Sequence, residues 1–287
     1  MGLNIIACVK SVINNTLPSS NRNTLENMEL NPFDKPAIEM ALSLIKEHKG
    51  TLTVLSMGPK SATLGIHQAI AMGADRAILI CDTALKESDT YITAKVLGKA
   101  LKKLEPFDIV LFGTRTSDSD TGHVGPQTAQ MLDIPFIGNI HSLTPDYVKN
   151  IWTAERKADG YLETFEIVGQ NKHFPKNVGV NNAGVADIAD TGMAFSVSSA
   201  FGYSAFGESS FISLYGVERA FSDKNIEFWD NQTLGLKPEE TGLIASPTKI
   251  VAWNKEKRAK KCQFIDGTYD QKAEQLAQKL SEAGFVG

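Results

Sequence analysis

The sequence predicts an α/β fold with a doubly wound parallel sheet, in which helices cover both faces. Two observations carry this prediction. Short apolar runs, each stopped by a glycine or a polar residue, alternate with segments of helical periodicity along the first half of the chain. These runs lack polar alternation, which is typical of strands buried on both faces. Strands and helices in this alternation favour right-handed crossovers, and such sheets bind ligands at the carboxyl ends of their strands.

The first half contains four segments with strand character and four with helical character. The predicted strands are Leu3–Val9, Thr51–Ser56, Ala77–Cys81 and Ile109–Phe112. The predicted helices begin at Asp34 as N-cap, with Pro36 in the first turn, at about Ser61, at Ser88 and at Gln127.

Two further elements are predicted downstream. Alternating residues on either side of Lys157–Gly160 predict a β-hairpin extension over residues 146–168. Thr268 and Gln271 form a capping-box pattern that opens a C-terminal helix.

Composition narrows the function classes. The 287 residues carry a net charge of −4, with 42% hydrophobic and 22% charged residues, so nucleic acid is not an expected partner. No apolar run approaches the ~18 residues that span a bilayer, and the amino terminus lacks a signal-peptide pattern. Cys8, Cys81 and Cys262 lack metal-ligand spacing. We expect a cytoplasmic protein, or one of an organelle matrix, without membrane insertion or a metal site.

The loop that follows Ile109–Phe112 has the composition of a phosphate site. A strand, a loop of small residues and a helix N-terminus bring free backbone N–H groups and the helix dipole together. Gly113, Gly122 and Gly125 would let the backbone come close to a ligand. An ordinary strand–helix turn capped by Asp120 or Thr121 remains the alternative.

Several motifs in one order resemble the β subunit of electron transfer flavoproteins. They are Asn31-Pro-Phe-Asp34, Thr53-Val-Leu-Ser-Met-Gly-Pro59, Ala71-Met-Gly-Ala-Asp-Arg76 and Asp118-Ser-Asp-Thr-Gly-His-Val-Gly-Pro126. The resemblance implies a Rossmann-like core of the adenine nucleotide α-hydrolase type and a heterodimer with an α subunit that carries FAD. It further implies an adenine nucleotide in this chain, which would be an electron carrier between an acyl-CoA or other dehydrogenase and an acceptor.

The loop is similar to that of the electron-bifurcating members, from which Ser119 and His123 depart. The loop pattern of those members implies FAD bound in this chain, NADH as electron donor, and ferredoxin or flavodoxin as a low-potential acceptor. Housekeeping members bind AMP as a structural element, and this remains an alternative. For His123 we weigh a hydrogen bond to flavin or phosphate against a polar loop residue that faces solvent, and we expect the second.

Carried over by position, the resemblance implies nucleotide contacts at the end of the first strand, at the start of the first helix, after the second strand and along the loop. These residues are Ala7, Cys8, Val9, Asn31, Pro32, Phe33, Asp34, Met57, Gly113, Thr114, Arg115, Thr116, Ser117, Asp118, Ser119, Asp120, Thr121, Gly122, His123, Val124 and Gly125. Cys8 is expected to be a small residue that lets the adenine approach, without a redox role.

The second half departs from the family pattern. We expect a core with the hairpin over 1–176, an insertion with a partner-recognition loop over 177–220, and a C-terminal arm and helix over 221–287 that pack on the α subunit. The insertion, mainly 182–211, has several aromatic residues, and its segment lacks Lys and Arg. It either packs on its own subunit or forms a partner surface. Leu214 occupies the position of the family's partner-anchoring leucine.

A different function class also fits the loop. An adenine-nucleotide hydrolase of related fold would use Asp118 and Asp120 as magnesium ligands, although no phosphate-loop lysine motif accompanies them.

Overall fold

The structure is a computed structural model that describes residues 2–13, 27–149, 151–168, 192–198, 226–248 and 265–282. The chain forms two compact units, Met1–Lys249 and Ile250–Gly287. No helix in the described ranges has the length and apolar character that crossing a bilayer requires.

The first unit contains all the described strands. They are β1 Leu3–Val9, β2 Ser11–Ile13, β3 Met28–Leu30, β4 Gly50–Met57, β5 Arg76–Ile80, β6 Ile109–Gly113, β7 Phe136–Asp146, β8 Ile151–Ala158, β9 Tyr161–Val168, β10 Met193–Val197 and β11 Ile226–Trp229. The helices of this unit are α1 Lys35–His48, α2 Thr63–Met72, α3 Thr90–Leu104, α4 Val124–Leu132 and α5 Gly242–Ala245.

Within these ranges a nine-stranded sheet has the order β11-β5-β4-β1-β6-β10-β7-β8-β9. Neighbouring strands from β11 to β7 are parallel, whereas β8 and β9 are antiparallel. Residues of α1 pack with Ala7 and Leu111 on one face, and residues of α3 and α4 pack with Cys8 and Phe112 on the other. The predicted doubly wound parallel sheet with a hairpin extension is therefore confirmed.

The hairpin turn follows from local backbone geometry. Asp159 and Gly160 both have positive φ, of 48° and 81°, which is the geometry that suits the twist of a two-residue hairpin. The hairpin joins the main sheet through β7, which pairs in parallel with β10 and then antiparallel with β8. Trp152 on β8 is fully buried, so this extension shares the core of the first unit.

Part of the predicted insertion over 182–211, at Met193–Val197, belongs to the central sheet. These five residues form β10, which lies between β6 and β7 and is buried along its whole length. The absence of charge in this segment suits a strand covered on both faces, because a charged side chain there would be desolvated. The rest of that range, except Gly192 and Ser198, lies outside the described residues, and so does Leu214.

The second unit contributes one described helix, α6 Tyr269–Glu282. The Thr268 backbone N–H donates to Gln271 Oε1 at 3.0 Å, and the Gln271 N–H faces Thr268 Oγ1 at 3.5 Å. This reciprocal pair is the predicted capping box.

The position of β10 leads to a test by mutation. Phe195→Ala should lower the free energy of unfolding by about 3–5 kcal/mol, because the removed ring leaves a cavity in the core. Chemical denaturation measures this loss. Phe228→Ala is the matched control, since Phe228 on β11 is 51% exposed, and it should cost about 1 kcal/mol or less. Equal small losses in both variants would contradict a central β10.

Candidate functional site

The strand register brings the predicted site elements to one edge of the sheet. Val9 pairs with Ser56, and Cys8 pairs with Phe112. The carboxyl ends of β1, β4 and β6 therefore lie side by side. Met57 and Gly113, which end β4 and β6, lie at this edge.

A buried carboxylate lies at the start of α1. Asp34 is 4% exposed, and its Oδ2 accepts the Lys10 backbone N–H at 2.7 Å. Its Oδ1 accepts from Asn31 Nδ2 at 2.9 Å, and the Gly113 backbone N–H also donates to the carboxylate. Asp34 holds the predicted N-cap position, but its side chain does not cap the helix. It binds the ends of β1 and β6 instead.

Asn31 extends these contacts into the loop after β6. It is fully buried, and its backbone N–H donates to the Lys10 carbonyl at 2.9 Å. Its Nδ2 also donates to the Arg115 carbonyl at 2.9 Å, and its Oδ1 accepts the Ser117 N–H at 3.2 Å. We call these two side chains and their backbone partners the Asn31–Asp34 network.

Gly113 is required by this network. A Cβ at this position would lie 2.1 Å from Asp34 Oδ1 and 2.6 Å from the Phe33 carbonyl oxygen. Both distances are far inside van der Waals contact, so no side chain fits without displacing the carboxylate. The predicted close approach at Gly113 is thus made by the chain's own Asp34.

Burial raises the pKa of Asp34 from its ordinary value of 3.8 to about 7, although the hydrogen bonds from Lys10 and Asn31 and the Lys10 charge act in the opposite direction. A folded-state pKa above the unfolded value means that the folded chain binds the proton more tightly. The stability that Asp34 contributes is therefore fully present below pH 3.8 and is lost as the pH rises towards about 7.

The acidic side chains of the loop are paired with cations. Lys10 Nζ lies 2.6 Å from Asp118 Oδ2, and Arg115 Nη1 lies 3.3 Å from Asp120 Oδ1. The Arg115 guanidinium also lies 4.5 Å from the centre of the Phe33 ring. Lys10 was not among the predicted site residues. Its signal in the sequence is a lone cation directly after the first strand.

Asp118 differs from Asp34 in its protonation. Partial burial would raise the pKa of Asp118, but hydrogen bonds from Lys10, Thr116 and Ser119 outweigh burial and hold the pKa below its ordinary value. Asp118 is therefore ionised at neutral pH. In the described part of the chain, no three His, Cys, Asp or Glu side chains are grouped so that they could hold a metal ion.

The backbone of the loop turns sharply before α4. Asp120 and Gly122 have positive φ, of 53° and 63°, and a Cβ on Gly122 would lie 2.9 Å from the Thr114 carbonyl oxygen. Residues 117–123 are exposed. A non-glycine residue with positive φ is uncommon, and Asp is one of the residues that tolerate it best.

Helix α4 begins at Val124 with His123 in the N-cap position, and no side chain caps it. Both the predicted start at Gln127 and the alternative caps at Asp120 or Thr121 are therefore wrong. Pro126 fits the first turn of the longer helix because the first N–H groups of a helix have no partner inside it. His123 itself is exposed.

Gly125 has a different role from the predicted one. A Cβ there would lie 3.1 Å from the Phe136 ring and 3.3 Å from Phe112. Its missing side chain thus permits close contact between α4 and the sheet. A valine at this position would first strain the packing of α4.

The end of β1 lies mostly inside the protein. Ala7, Cys8 and Val9 are 0%, 5% and 7% exposed. Burial, with a smaller contribution from the Asp34 charge, raises the pKa of the Cys8 thiol above its usual range. A buried neutral thiol is a poor nucleophile. Pro32 is exposed, and the Phe33 ring, as described above, supports Arg115.

The contact between Gly113 and Asp34 generates a second test. Gly113→Ala should lower the free energy of unfolding by roughly 1–3 kcal/mol through overpacking. Thermal or chemical unfolding measures the loss. The control is Gly98→Ala in α3, where an added Cβ would lie 3.7 Å from Met131 Cβ, so it should be neutral or stabilising by up to about 1 kcal/mol. A neutral Gly113→Ala would contradict the described contact.

Comparison with known proteins agrees with this fold. The model of the electron transfer flavoprotein domain matches residues 23–172. The chain is 30% identical over 257 residues to an electron transfer flavoprotein subunit beta of Thermoanaerobacterium thermosaccharolyticum, covering 90% of this chain and 87% of that protein.

Two other relatives come from different systems. The chain is 32% identical over 229 residues to the caffeyl-CoA reductase-Etf complex subunit CarD of Acetobacterium woodii, covering 77% and 73% of the two chains. It is 36% identical over 141 residues to Protein FixA of Azotobacter vinelandii, covering 48% and 50%. The family match and the relatives covered over more than two thirds of their length show that the chain belongs to the electron transfer flavoprotein family, as one of its β subunits.

Proposed function

We propose that this β subunit binds FAD at the carboxyl edge of its sheet and passes electrons between a dehydrogenase and an acceptor. The observation that carries the proposal is the uncapped N-terminus of α4, which directly follows the exposed loop held by the Asn31–Asp34 network. A helix end without a side-chain cap offers backbone N–H groups and a positive dipole to a diphosphate.

The residues present fit such a ligand. Gly122 and Asp120 keep the loop backbone in left-handed turns, and the side chains of Ser117 and Thr121 are exposed beside them. In the first turns of α4, Gln127 Oε1 is buried and has no hydrogen-bond partner among the described residues. A hydroxyl or amine of a bound nucleotide would satisfy this acceptor.

The chain's own residues would bind and orient the cofactor. Lys10, directly after β1, and Arg115, within the loop, are partly exposed cations that would bind the diphosphate. Asn31 and Asp34 would hold the loop in its conformation through the hydrogen bonds of the Asn31–Asp34 network. FAD, when bound, supplies the redox chemistry, and the protein supplies its placement and electrostatic surroundings.

The electron-bifurcating version of this function is the finer proposal. Two observations support it: the Asp118–Gln127 pattern and the similarity to CarD, a subunit of a reductase complex that contains an Etf. In this version NADH is the donor, an α subunit completes the heterodimer, and ferredoxin or flavodoxin takes the low-potential electron. We place the complex in the cytoplasm. AMP as a structural element remains the alternative occupant.

The hydrolase alternative is less well supported by the geometry. Magnesium catalysis on a phosphate would need carboxylates that converge on one point. Asp118 and Asp120 are instead paired with Lys10 and Arg115.

Nucleotide content tests the proposal. We expect the complex purified gently with its α subunit to hold two FAD. Flavin absorbance and chromatography of the released nucleotides measure this content. One FAD and one AMP per complex would show the structural alternative, and no adenine nucleotide beyond the α-subunit FAD would reject the site.

Partner recognition is tested at Leu214. If Leu214 anchors the dehydrogenase, Leu214→Ala should weaken the complex by ~2 kcal/mol, or roughly thirtyfold, with unchanged flavin content. Steady-state kinetics with the cognate dehydrogenase measure the change in KM. Leu64→Ala, on the surface of α2, is the control. Identical kinetics in both variants would show that residue 214 does not anchor the partner.

A further inference from the structure

We propose that Asp34 is a positioning residue whose ionised carboxylate holds the Gly113–Gly122 loop in its binding shape, so that nucleotide affinity changes with pH near neutrality. The inference rests on the proposed nucleotide site and adds a form of regulation to it. Asp34 is too deeply buried to be an obvious ligand contact, being 4% exposed. It acts through the backbone and through Asn31.

The carboxylate gathers N–H donors from three parts of the chain. Lys10 donates from the end of β1, Asn31 from the segment before α1, and Gly113 from the end of β6. An ionised carboxylate only accepts hydrogen bonds, so it suits all three donors. A protonated one carries a hydrogen on one oxygen, and both oxygens already face N–H groups. Protonation therefore weakens at least one of these contacts.

Asn31 carries the effect into the loop. Its Nδ2 is shared between Asp34 Oδ1 and the Arg115 carbonyl, and this orientation points its Oδ1 to the Ser117 N–H. If the protonated Asp34 carboxyl points its hydrogen at Asn31 Nδ2, two donors face each other, and the Asn31 side-chain amide must rotate or shift. The bonds to Arg115 and Ser117 then weaken together, and the loop loses its attachment to β1 and α1.

Titratable or charged groups occur on each segment near Asp34. Cys8 on β1 and Lys10 directly after β1 interact with its charge. Lys35 follows it in the chain, and Arg115, Asp118 and His123 belong to the loop or its end. Burial raises the pKa of Asp34 to about 7, so the ionised share rises from about one tenth at about pH 6 to about nine tenths at about pH 8. Apparent affinity scales with the share of the binding-competent state.

The test is titration of the full-length chain with FAD by isothermal calorimetry. FAD is the probe because a phosphomonoester such as AMP itself titrates near pH ~6. If only the ionised form binds, the dissociation constant should be about tenfold higher at about pH 6 than at about pH 8. Asp34→Asn should bind more weakly at about pH 8 and should lose the pH dependence.

Two variants exclude other sources of the effect. Asp108→Asn is the structural control: Asp108 is 5% exposed and accepts the Asn4 N–H at 2.6 Å at the opposite end of the sheet. His123→Asn removes the exposed imidazole at the end of the loop. Both variants should keep the tenfold ratio between the two pH values. Because His123 is exposed, that variant folds even if Asp34→Asn does not.

The outcomes separate the two proposals. A folded wild-type chain that binds no FAD at either pH overturns the nucleotide site. Tight binding with equal affinity at both pH values overturns the role of Asp34 and leaves the site intact. The role of Asp34 is also overturned if Asp34→Asn keeps the pH dependence, or if His123→Asn removes it.

Discussion

The rest of the site depends on one buried carboxylate. A charge in the interior is costly unless hydrogen bonds replace its water. Asp34 receives such bonds from the ends of two neighbouring strands and from Asn31, but burial outweighs them and raises its pKa to about 7. Residue 113 must then be glycine, because the carboxylate oxygen occupies the space of its Cβ. The carboxylate therefore determines three features together: the start of α1, the separation of β1 and β6, and the path of the loop that follows β6.

The sequence was sufficient for the strands that lie near one another in the chain. β1, β4, β5 and β6 are short apolar runs with clear stops, and their boundaries were predicted to within one residue. β10 could not be placed in the same way. Its neighbours β6 and β7 precede it by some distance in the chain, and its flanks are rich in Gly, Ala and Ser. Only pairing across the sheet distinguishes Met193–Val197 from an apolar surface segment.

The sequence predicts where the site residues lie better than it predicts what their side chains contact. Resemblance to a family selected Asn31 and Asp34 as nucleotide contacts, yet their polar atoms bind the chain itself. Gly125 was selected for ligand approach, yet it packs against Phe112 and Phe136. The sequence does not single out Lys10, because its partner Asp118 is 108 residues away in the chain. A motif predicts which residues lie near a ligand. It does not predict where each side chain points, because that depends on packing against distant parts of the chain.

The two layers of the site differ in stiffness, and the difference suits ligand binding. The lower layer is the buried Asn31–Asp34 network, where every lost hydrogen bond leaves a desolvated polar group. The upper layer holds the exposed pairs Lys10–Asp118 and Arg115–Asp120, each worth only ~0–1 kcal/mol in water. Cations in such pairs can turn from a carboxylate to an arriving diphosphate at little cost. When Asp34 is ionised, their backbone stays in place, because the network beneath fixes the loop before any ligand is present.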